Sequence, residues 1–301
     1  FDADARLVAQ AAHIPVHLGS AAESVRAVQD ALTLEPGDVA ILNDPFAGGT
    51  HLPDVTLVQP VFEERAERAS YYLVARAHHA DIGGAAPGSM AVATDLCAEG
   101  LVIPPVKFRR AGVVEDGIVR LIAANVRGAA ERLADLRAQE AALALGARRL
   151  IQLLDTHGAK VVAEYCEHLM TYSERITRSV LSALPDGTYA AVDFMDDDGV
   201  DVDPETEPHR IAVSVTVAAD RLEFDFGATG PQTAGGIHAN AIDPGFTVGP
   251  QIQLTASPAQ SPSWCSLPRN GGDMTRCAEC SQSSERYSSS SRQRNCISGS
   301  P

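Results

Sequence analysis

Three histidines and two aspartates lie close together in the first third of the sequence, in a pattern that could bind a cation. They are His51, Asp54, His78, His79 and Asp81. Pro53 separates His51 from Asp54 and excludes a helix interior, so both side chains must project from the extended end of a loop. Mixed imidazole and carboxylate ligands favour a divalent ion such as Zn, Mn or Fe. Three protein ligands would leave positions open for water and substrate.

The segments around these residues predict a β-hairpin. Residues 55–62 and 70–77 are rich in β-branched and aromatic side chains, and the charged segment 63–68 separates them. With a turn centred near residue 66, antiparallel pairing sets Asp54 opposite His78 and His51 opposite Asp81. Opposed residues share a face with β-carbons about 5 Å apart, close enough to share a cation. A shift of one residue would select His79 instead.

The same pattern has an interpretation without a metal. Histidines at a strand end can be hydrogen-bonded inside a core, with Asp54 and Asp81 only holding the imidazole rings. Spacing alone does not decide between the two interpretations. His13 and His17 flank a proline and could face the same pocket, but we interpret them as buried structural histidines.

Two further carboxylates are candidates for roles beside the metal. Asp81 is predicted to orient a histidine ligand or to join the metal, because a metal-bound histidine usually donates its other ring N–H to a carboxylate or carbonyl. Glu99 precedes an extended, proline-containing segment and is a candidate acid or base, with a surface carboxylate as the alternative. Cys277-x-x-Cys280 lacks a partner pair, and the run of aspartates at 196–198 lacks the glycine and terminal glutamate of an EF-hand loop.

The elements that must position these residues follow an α+β pattern, with mixed β-sheet and hairpin regions and a long helical segment in the middle. A helix is predicted over residues 21–34, with Ser20 and Glu23 as a capping box. A buried strand over 38–43 and a turn-rich loop over 43–50 follow. We divide the chain into a β-rich metal-site region (1–116), a helical region (117–185), a β-hairpin region (186–250) and a disordered or non-native tail (251–301).

Composition limits the classes of function. The 301 residues carry a formal net charge of -15, which disfavours a nucleic-acid partner. No apolar run approaches the roughly 20 residues that a bilayer helix needs, so no membrane association is expected. Only two of the six cysteines precede residue 260, which is no disulfide framework. We therefore expect a soluble, cytoplasmic protein.

Several long strings in the sequence resemble one known family. They are LVAQ (7–10), HIPVHLG (13–19), NDPFAGGTHLPDV (43–55), AHHADIGG (77–84), EGLVIPPV (99–106) and FDFG (224–227). Together they are similar to the hydantoinase B/5-oxoprolinase family, and the resemblance covers residues 1 to about 240. Family members pair with an A-type subunit or domain that binds ATP and phosphorylates the substrate, while the B-type part completes the reaction.

The resemblance implies an activity and a ligand set. Known reactions of the family are the ATP-driven opening of hydantoins and 5-oxoproline and the related carboxylation of acetone or acetophenone. The carboxylase relatives bind a divalent metal through a His-x-x-Asp pair and a second histidine, which match His51, Asp54 and His78 here. The resemblance therefore favours His78 over His79. It implies a hetero-oligomer with an A-type partner that uses ATP, a small cyclic amide substrate, and no ATP site on this chain alone.

The chain also departs from the family pattern. Near residues 236–240 the expected continuation gives way to unrelated sequence, so we expect a truncated fragment of a longer B-type subunit. An α-type subunit of an ATP-dependent ketone carboxylase is an alternative that the ligands alone do not separate. An inactive fragment that serves only as an interaction module is a third hypothesis.

Overall fold

The computed structural model describes residues 1–11, 17–64, 66–89, 91–200, 202–203 and 206–236, and the backbone of 252–255. Its elements are α1 (His17–Ala31), β1 (Val39–Leu42), β2 (Asp54–Val61), β3 (Tyr71–His78), α2 (Leu96–Glu99), β4 (Val106–Arg110), β5 (Val113–Val114), α3 (Asp116–Asn125), α4 (Ala129–His157), α5 (Ala159–Leu181), β6 (Gly187–Met195), β7 (His209–Ala218), β8 (Arg221–Asp225) and β9 (Ile252–Thr255). The fold class is α+β with a long helical segment in the middle, as the sequence predicts.

The first sheet has the strand order β3-β2-β1-β4-β5 and is covered on both faces. Because successive side chains of a strand point to opposite faces, β1 serves two cores. Ala40 and Leu42 lie in the cluster formed with α1, whereas Val39 and Ile41 lie in the cluster formed with α3 and α4. All four residues of β1 are therefore buried.

The predicted hairpin is confirmed as β2 and β3, with the register that places Asp54 opposite His78. Along the face that α1 covers, the opposed pairs run from Val58 with Val74, through Thr56 with Arg76, to the Asp54 and His78 pair. The face thus changes from apolar to polar towards the open end of the hairpin. This polar end is where the sequence places the chemistry.

The start of the first helix differs from the prediction. Helix α1 already begins at His17 and ends at Ala31, so Ser20 lies in the first turn and does not cap the helix. The Ser20 hydroxyl accepts a hydrogen bond from Arg76 Nη1 at 2.6 Å instead. A contact across 56 residues therefore replaces the predicted local one, because α1 is packed against the hairpin.

The predicted helical segment consists of α3, α4 and α5, and a second sheet follows with the order β6-β7-β8-β9. Strand β9 pairs parallel to β8. It lies inside the region predicted as a tail, so the structure differs from that prediction at 252–255. The rest of 251–301 lies outside the described residues. In the part of the chain that the structure describes, no helix is both long and apolar enough to cross a membrane.

Candidate metal centre

Three side chains of the predicted site converge at the open end of the hairpin. His78 Nδ1 lies 3.1 Å from Asp54 Oδ1 and 3.0 Å from His51 Nε2. His51 Nδ1 lies 3.4 Å from Asp54 Oδ2. One possible ligand atom from each residue lies within 4.8 Å of the other two. The register of β2 and β3 brings Asp54 and His78 together, and the loop before β2 adds His51.

These separations fit the donor atoms of one divalent ion. Zn–N and Zn–O bonds of about 2.0–2.2 Å put neighbouring ligand atoms roughly 3.0–3.5 Å apart in tetrahedral or octahedral geometry. Asp54 lies at the floor with its side chain 3% exposed, whereas the side chains of His51 and His78 are 42% and 45% exposed. The arrangement therefore offers three protein ligands and one open side for water or substrate.

The loop before β2 is held in shape by buried contacts. Asn43 is fully buried, and its amide group donates to the carbonyls of Leu52 and Leu101. A β-carbon on Gly49 would lie 2.4 Å from the Asn43 carbonyl oxygen, so only glycine fits there. Thr50 Oγ1 donates to Asp54 Oδ2 at 2.8 Å. The loop thus fixes His51 relative to Asp54.

The surroundings favour a neutral imidazole at His51. Burial lowers its pKa, and the neighbouring His78, Arg76 and His17 lower it further, whereas Asp54 acts in the opposite direction. The net pKa lies below the usual value. Since a neutral imidazole is the form that binds metal ions, this shift suits a ligand.

Two further groups at the site were not assigned to it from the sequence. His17 Nδ1 lies 3.9 Å from Asp54 Oδ2, and its side chain is 30% exposed. This placement differs from our interpretation of His17 as a buried structural histidine and agrees with the alternative that it faces the pocket. His13 lies outside the described residues. Arg76 approaches His17 Nδ1 at 3.4 Å, and only its position two residues before His78 on the same strand face could have indicated it.

His79 lies on the opposite face of the sheet from His78. It is 2% exposed, and its Nε2 lies 3.0 Å from Oε1 of Gln139 on α4. The Gln139 amide donates to the carbonyls of Val55 and Ala75. The strand alternation therefore separates the two histidines, and the observed register brings His78 to Asp54.

Asp81 has different partners from those that the sequence predicts. Its Oδ1 accepts from the backbone N–H groups of Gly83 and Arg127, and its Oδ2 lies 3.1 Å from Arg127 Nη1. Burial alone would raise the pKa of Asp81, but these hydrogen bonds outweigh it and lower the pKa. The β2–β3 ladder ends at His78, so the chain leaves the hairpin and Asp81 does not pair with His51.

Glu99 ends the short helix α2, whose N-cap is Asp95. Burial raises the pKa of Glu99, and the charge of Asp95 raises it further. A raised pKa suits an acid or base, but no hydrogen bond or ion pair among the described residues joins Glu99 to the three clustered side chains. The role of Glu99 therefore stays a prediction.

Residues 1–244 match the family model described as hydantoinase B/oxoprolinase. An uncharacterized protein of Methanocaldococcus jannaschii is 34% identical over 252 residues, which cover 79% of this chain and 44% of that protein. The B-type subunit of a putative D-/L-hydantoinase of a Pseudomonas species is 36% identical over 202 residues, covering 66% and 34%. For 5-oxoprolinase 1 of Arabidopsis thaliana the identity is 32% over 270 residues, covering 79% and 20%. This chain thus spans less than half the length of each relative.

Two solved structures have a similar fold. The ATP-dependent caprolactamase of Pseudomonas jessenii matches with a TM-score of 0.71 at 30% identity, covering 78% of this chain and 40% of that chain. A nucleotide-free acetone carboxylase matches with a TM-score of 0.70 at 16% identity over 78% of this chain and 33% of that chain, a likeness of fold alone. Given the family match over most of its length, this chain belongs to the hydantoinase B/oxoprolinase family.

Proposed function

We propose that this chain carries the divalent-metal centre of a B-type subunit that opens a cyclic amide in an ATP-dependent reaction. The observation that carries the proposal is the convergence of His51, Asp54 and His78 within 4.8 Å. Relatives named as a hydantoinase, a 5-oxoprolinase and a caprolactamase support the class of reaction. Zn, Mn and Fe fit the mixed donor set.

The residues of this chain have distinct tasks in the proposed site. A bound metal would supply Lewis-acid polarisation of the amide carbonyl or a water molecule of lowered pKa. His51 and His78 present ring nitrogens towards the open side, while the buried Asp54 carboxylate neutralises positive charge at the floor. Thr50 orients that carboxylate through its hydrogen bond to Oδ2. Glu99 is the proposed acid or base for the departing amide nitrogen.

An A-type partner would supply the ATP chemistry. The sequence has no phosphate-binding loop of the form G-x-x-x-x-G-K-[ST], so we propose that ATP is bound by the partner within a cytoplasmic hetero-oligomer. The hydantoinase and caprolactamase relatives are each named as one subunit of an enzyme, which supports such an assembly. Asp81 is not part of the proposed centre, because Arg127 and backbone amides occupy both of its carboxylate oxygens.

Metal titration tests the centre directly. We expect isothermal titration calorimetry with Zn²⁺ or Mn²⁺ to show one site, and Asp54→Asn and His51→Ala to weaken it at least about 10-fold. At a concentration 100 times the Kd, the ion should raise the free energy of unfolding by about 2.7 kcal/mol. His157→Ala is the control, since it removes an exposed histidine of α4 outside the cluster. Equal binding by Asp54→Asn, or none by the unaltered chain, would refute the proposed centre.

The reaction class requires the complete complex. We would co-express the chain with an A-type subunit and measure ATP hydrolysis with hydantoin, 5-oxoproline and caprolactam, and separately with acetone and bicarbonate. Amide-dependent hydrolysis of ATP with release of the ring-opened acid would support the proposal. Activity only with the ketone and bicarbonate would favour the carboxylase alternative, and a chain that binds the partner without either activity would be an interaction fragment.

A further inference from the structure

Beside the three clustered side chains lies a guanidinium that hydroxyl groups hold, rather than a carboxylate. Arg76 Nε donates to Thr56 Oγ1 at 2.8 Å, Nη1 donates to Ser20 Oγ at 2.6 Å, and Nη2 donates to Ser24 Oγ at 2.7 Å. Among the residues that the structure describes, Arg76 forms no ion pair. Partial burial of a cation without a paired anion is unfavourable, so the contacts of Arg76 should serve a purpose.

Arg76 lies next to the site along the hairpin. It is directly opposite Thr56, and both residues share the face of Asp54 and His78, which form the next pair on that face. Ser20 and Ser24 belong to α1, so the guanidinium ties that helix to both strands at the polar end of the face. His17, at the start of the same helix, lies 3.9 Å from Asp54 Oδ2 as a result.

The same contacts extend to the loop that carries His51. The Ser24 hydroxyl accepts from Arg76 and donates to the carbonyl oxygen of Gly48. Gly48 packs directly on α1: a β-carbon there would lie 2.7 Å from the Glu23 carbonyl oxygen, and its φ is +86°. Arg76, Ser24 and Gly48 therefore form a continuous connection from β3 through α1 to the loop.

We infer that Arg76 is a positioning residue for the metal centre, which it serves by fixing α1 and the 43–50 loop so that His51 meets Asp54 and His78. This inference rests on the proposed function for its metal-binding part only. Arg76 itself ligates nothing, because it has no lone pair to offer. Its four contacts set the relative positions of three chain segments that the hairpin register does not fix.

Electrostatics and positioning predict opposite effects of removing Arg76. A positive charge near a cation site repels the ion, so Arg76→Met should tighten metal binding if charge alone mattered. If Arg76 positions the ligands, the same substitution weakens binding, by about 10- to 100-fold as is typical when groups that orient ligands are lost. Arg76→Lys keeps the charge but loses the planar fork, and should also weaken binding.

A metal-free measurement tests the inference independently. We expect amide hydrogen exchange in Arg76→Met and Ser24→Ala to accelerate at Gly49 and Asp54, whose N–H groups bond to the carbonyls of Asp44 and His51. The far end of the hairpin, at Val61, should be unchanged. Arg109→Met is the matched control, because it removes a guanidinium from β4 of the same sheet, where Glu140 binds it.

Zn²⁺ titration and the absorption spectrum of the Co²⁺ complex complete the test. The expected result is weaker Zn²⁺ binding and an altered Co²⁺ spectrum in Arg76→Met, with neither change in Arg109→Met. Tighter or equal Zn²⁺ binding with unchanged exchange would overturn the inference. If the unaltered chain binds no metal, the proposed function fails and amide exchange alone decides the role of Arg76. If Arg76→Met unfolds, Ser24→Ala, which leaves the charge in place, decides it by the same measurements.

Discussion

Strands β1 and β6 are both fully paired with a neighbour, yet their surroundings differ. Every residue of β1 is at most 4% exposed, whereas all nine residues of β6 are exposed although each pairs with β7. On β6, Tyr189, Val192 and Phe194 are 49%, 50% and 56% exposed. Hydrogen-bond ladders therefore define both sheets, but only the first also gains the free energy of apolar burial, about 25 cal/mol per Å².

Helix α5 resembles the second sheet in this respect. One exposed stripe of the helix carries large apolar residues: Val161, Tyr165, Leu169, Tyr172, Ile176 and Val180. Only Val162 and Leu181 of this helix are buried. Within the described residues, stability should thus concentrate in the first sheet, which is also the sheet that holds the clustered histidines. The next three substitutions test that difference.

The largest effect should come from truncating a leucine in the first sheet. Leu57 is fully buried between α4 and the neighbouring strands, whereas Leu169 on α5 is 54% exposed. We expect Leu57→Ala to lower the free energy of unfolding by about 3–5 kcal/mol and Leu169→Ala to change it by less than about 0.5 kcal/mol. Urea unfolding followed by circular dichroism measures both. Equal losses would mean that α5 is covered in solution and that the comparison does not hold.

A smaller effect is expected at the end of β1. Asp38 is fully buried; Lys107 Nζ donates to it at 2.6 Å, and the amide groups of Ala111 and Glu35 donate as well. We expect Asp38→Asn to cost about 2 kcal/mol at neutral pH, because Lys107 loses its charged partner. Lys107→Met in the same background tests the coupling, and additive losses from the two substitutions would contradict it.

The pH dependence of that loss has a definite sign. Burial alone would raise the pKa of Asp38, but the Lys107 and backbone hydrogen bonds outweigh it, so the folded-state pKa lies below the usual value. The stabilisation is therefore complete above the unfolded pKa of about 3.9 and is lost as the pH falls through the lower folded pKa. The gap in unfolding free energy between the unaltered chain and Asp38→Asn should shrink below about pH 4. A gap that is constant with pH would refute this account.

The smallest effect is expected for an ion pair at the second sheet. Arg178 Nη1 of α5 lies 2.6 Å from Asp220 Oδ2 in the turn between β7 and β8. The hydrogen bond from Arg178 lowers the pKa of Asp220. Because water and salt screen this surface pair, Asp220→Asn should shift the urea midpoint far less than Asp38→Asn does. A larger shift would show that the second sheet depends on this contact.

The hairpin was predictable because two local signals agreed. β-branched runs of similar length flank a charged turn, and centring that turn near residue 66 gives the observed Asp54 and His78 pair. The same arithmetic was wrong for His51 and Asp81, since it assumes that the ladder continues past residue 54. The chain instead turns before β2, and Asp81 binds Arg127, which lies 46 residues further along the sequence.

The sequence by itself determined the α+β class, the hairpin register and the membership of His51, Asp54 and His78 in one cluster, because side-chain alternation and turn position depend on neighbouring residues. Only the tertiary structure decided that His79 bonds to Gln139, that Asp81 bonds to Arg127 and that α1 places His17 and Arg76 beside the cluster. Those contacts join segments between 46 and 60 residues apart. They depend on how helices pack on a sheet, which local patterns do not encode.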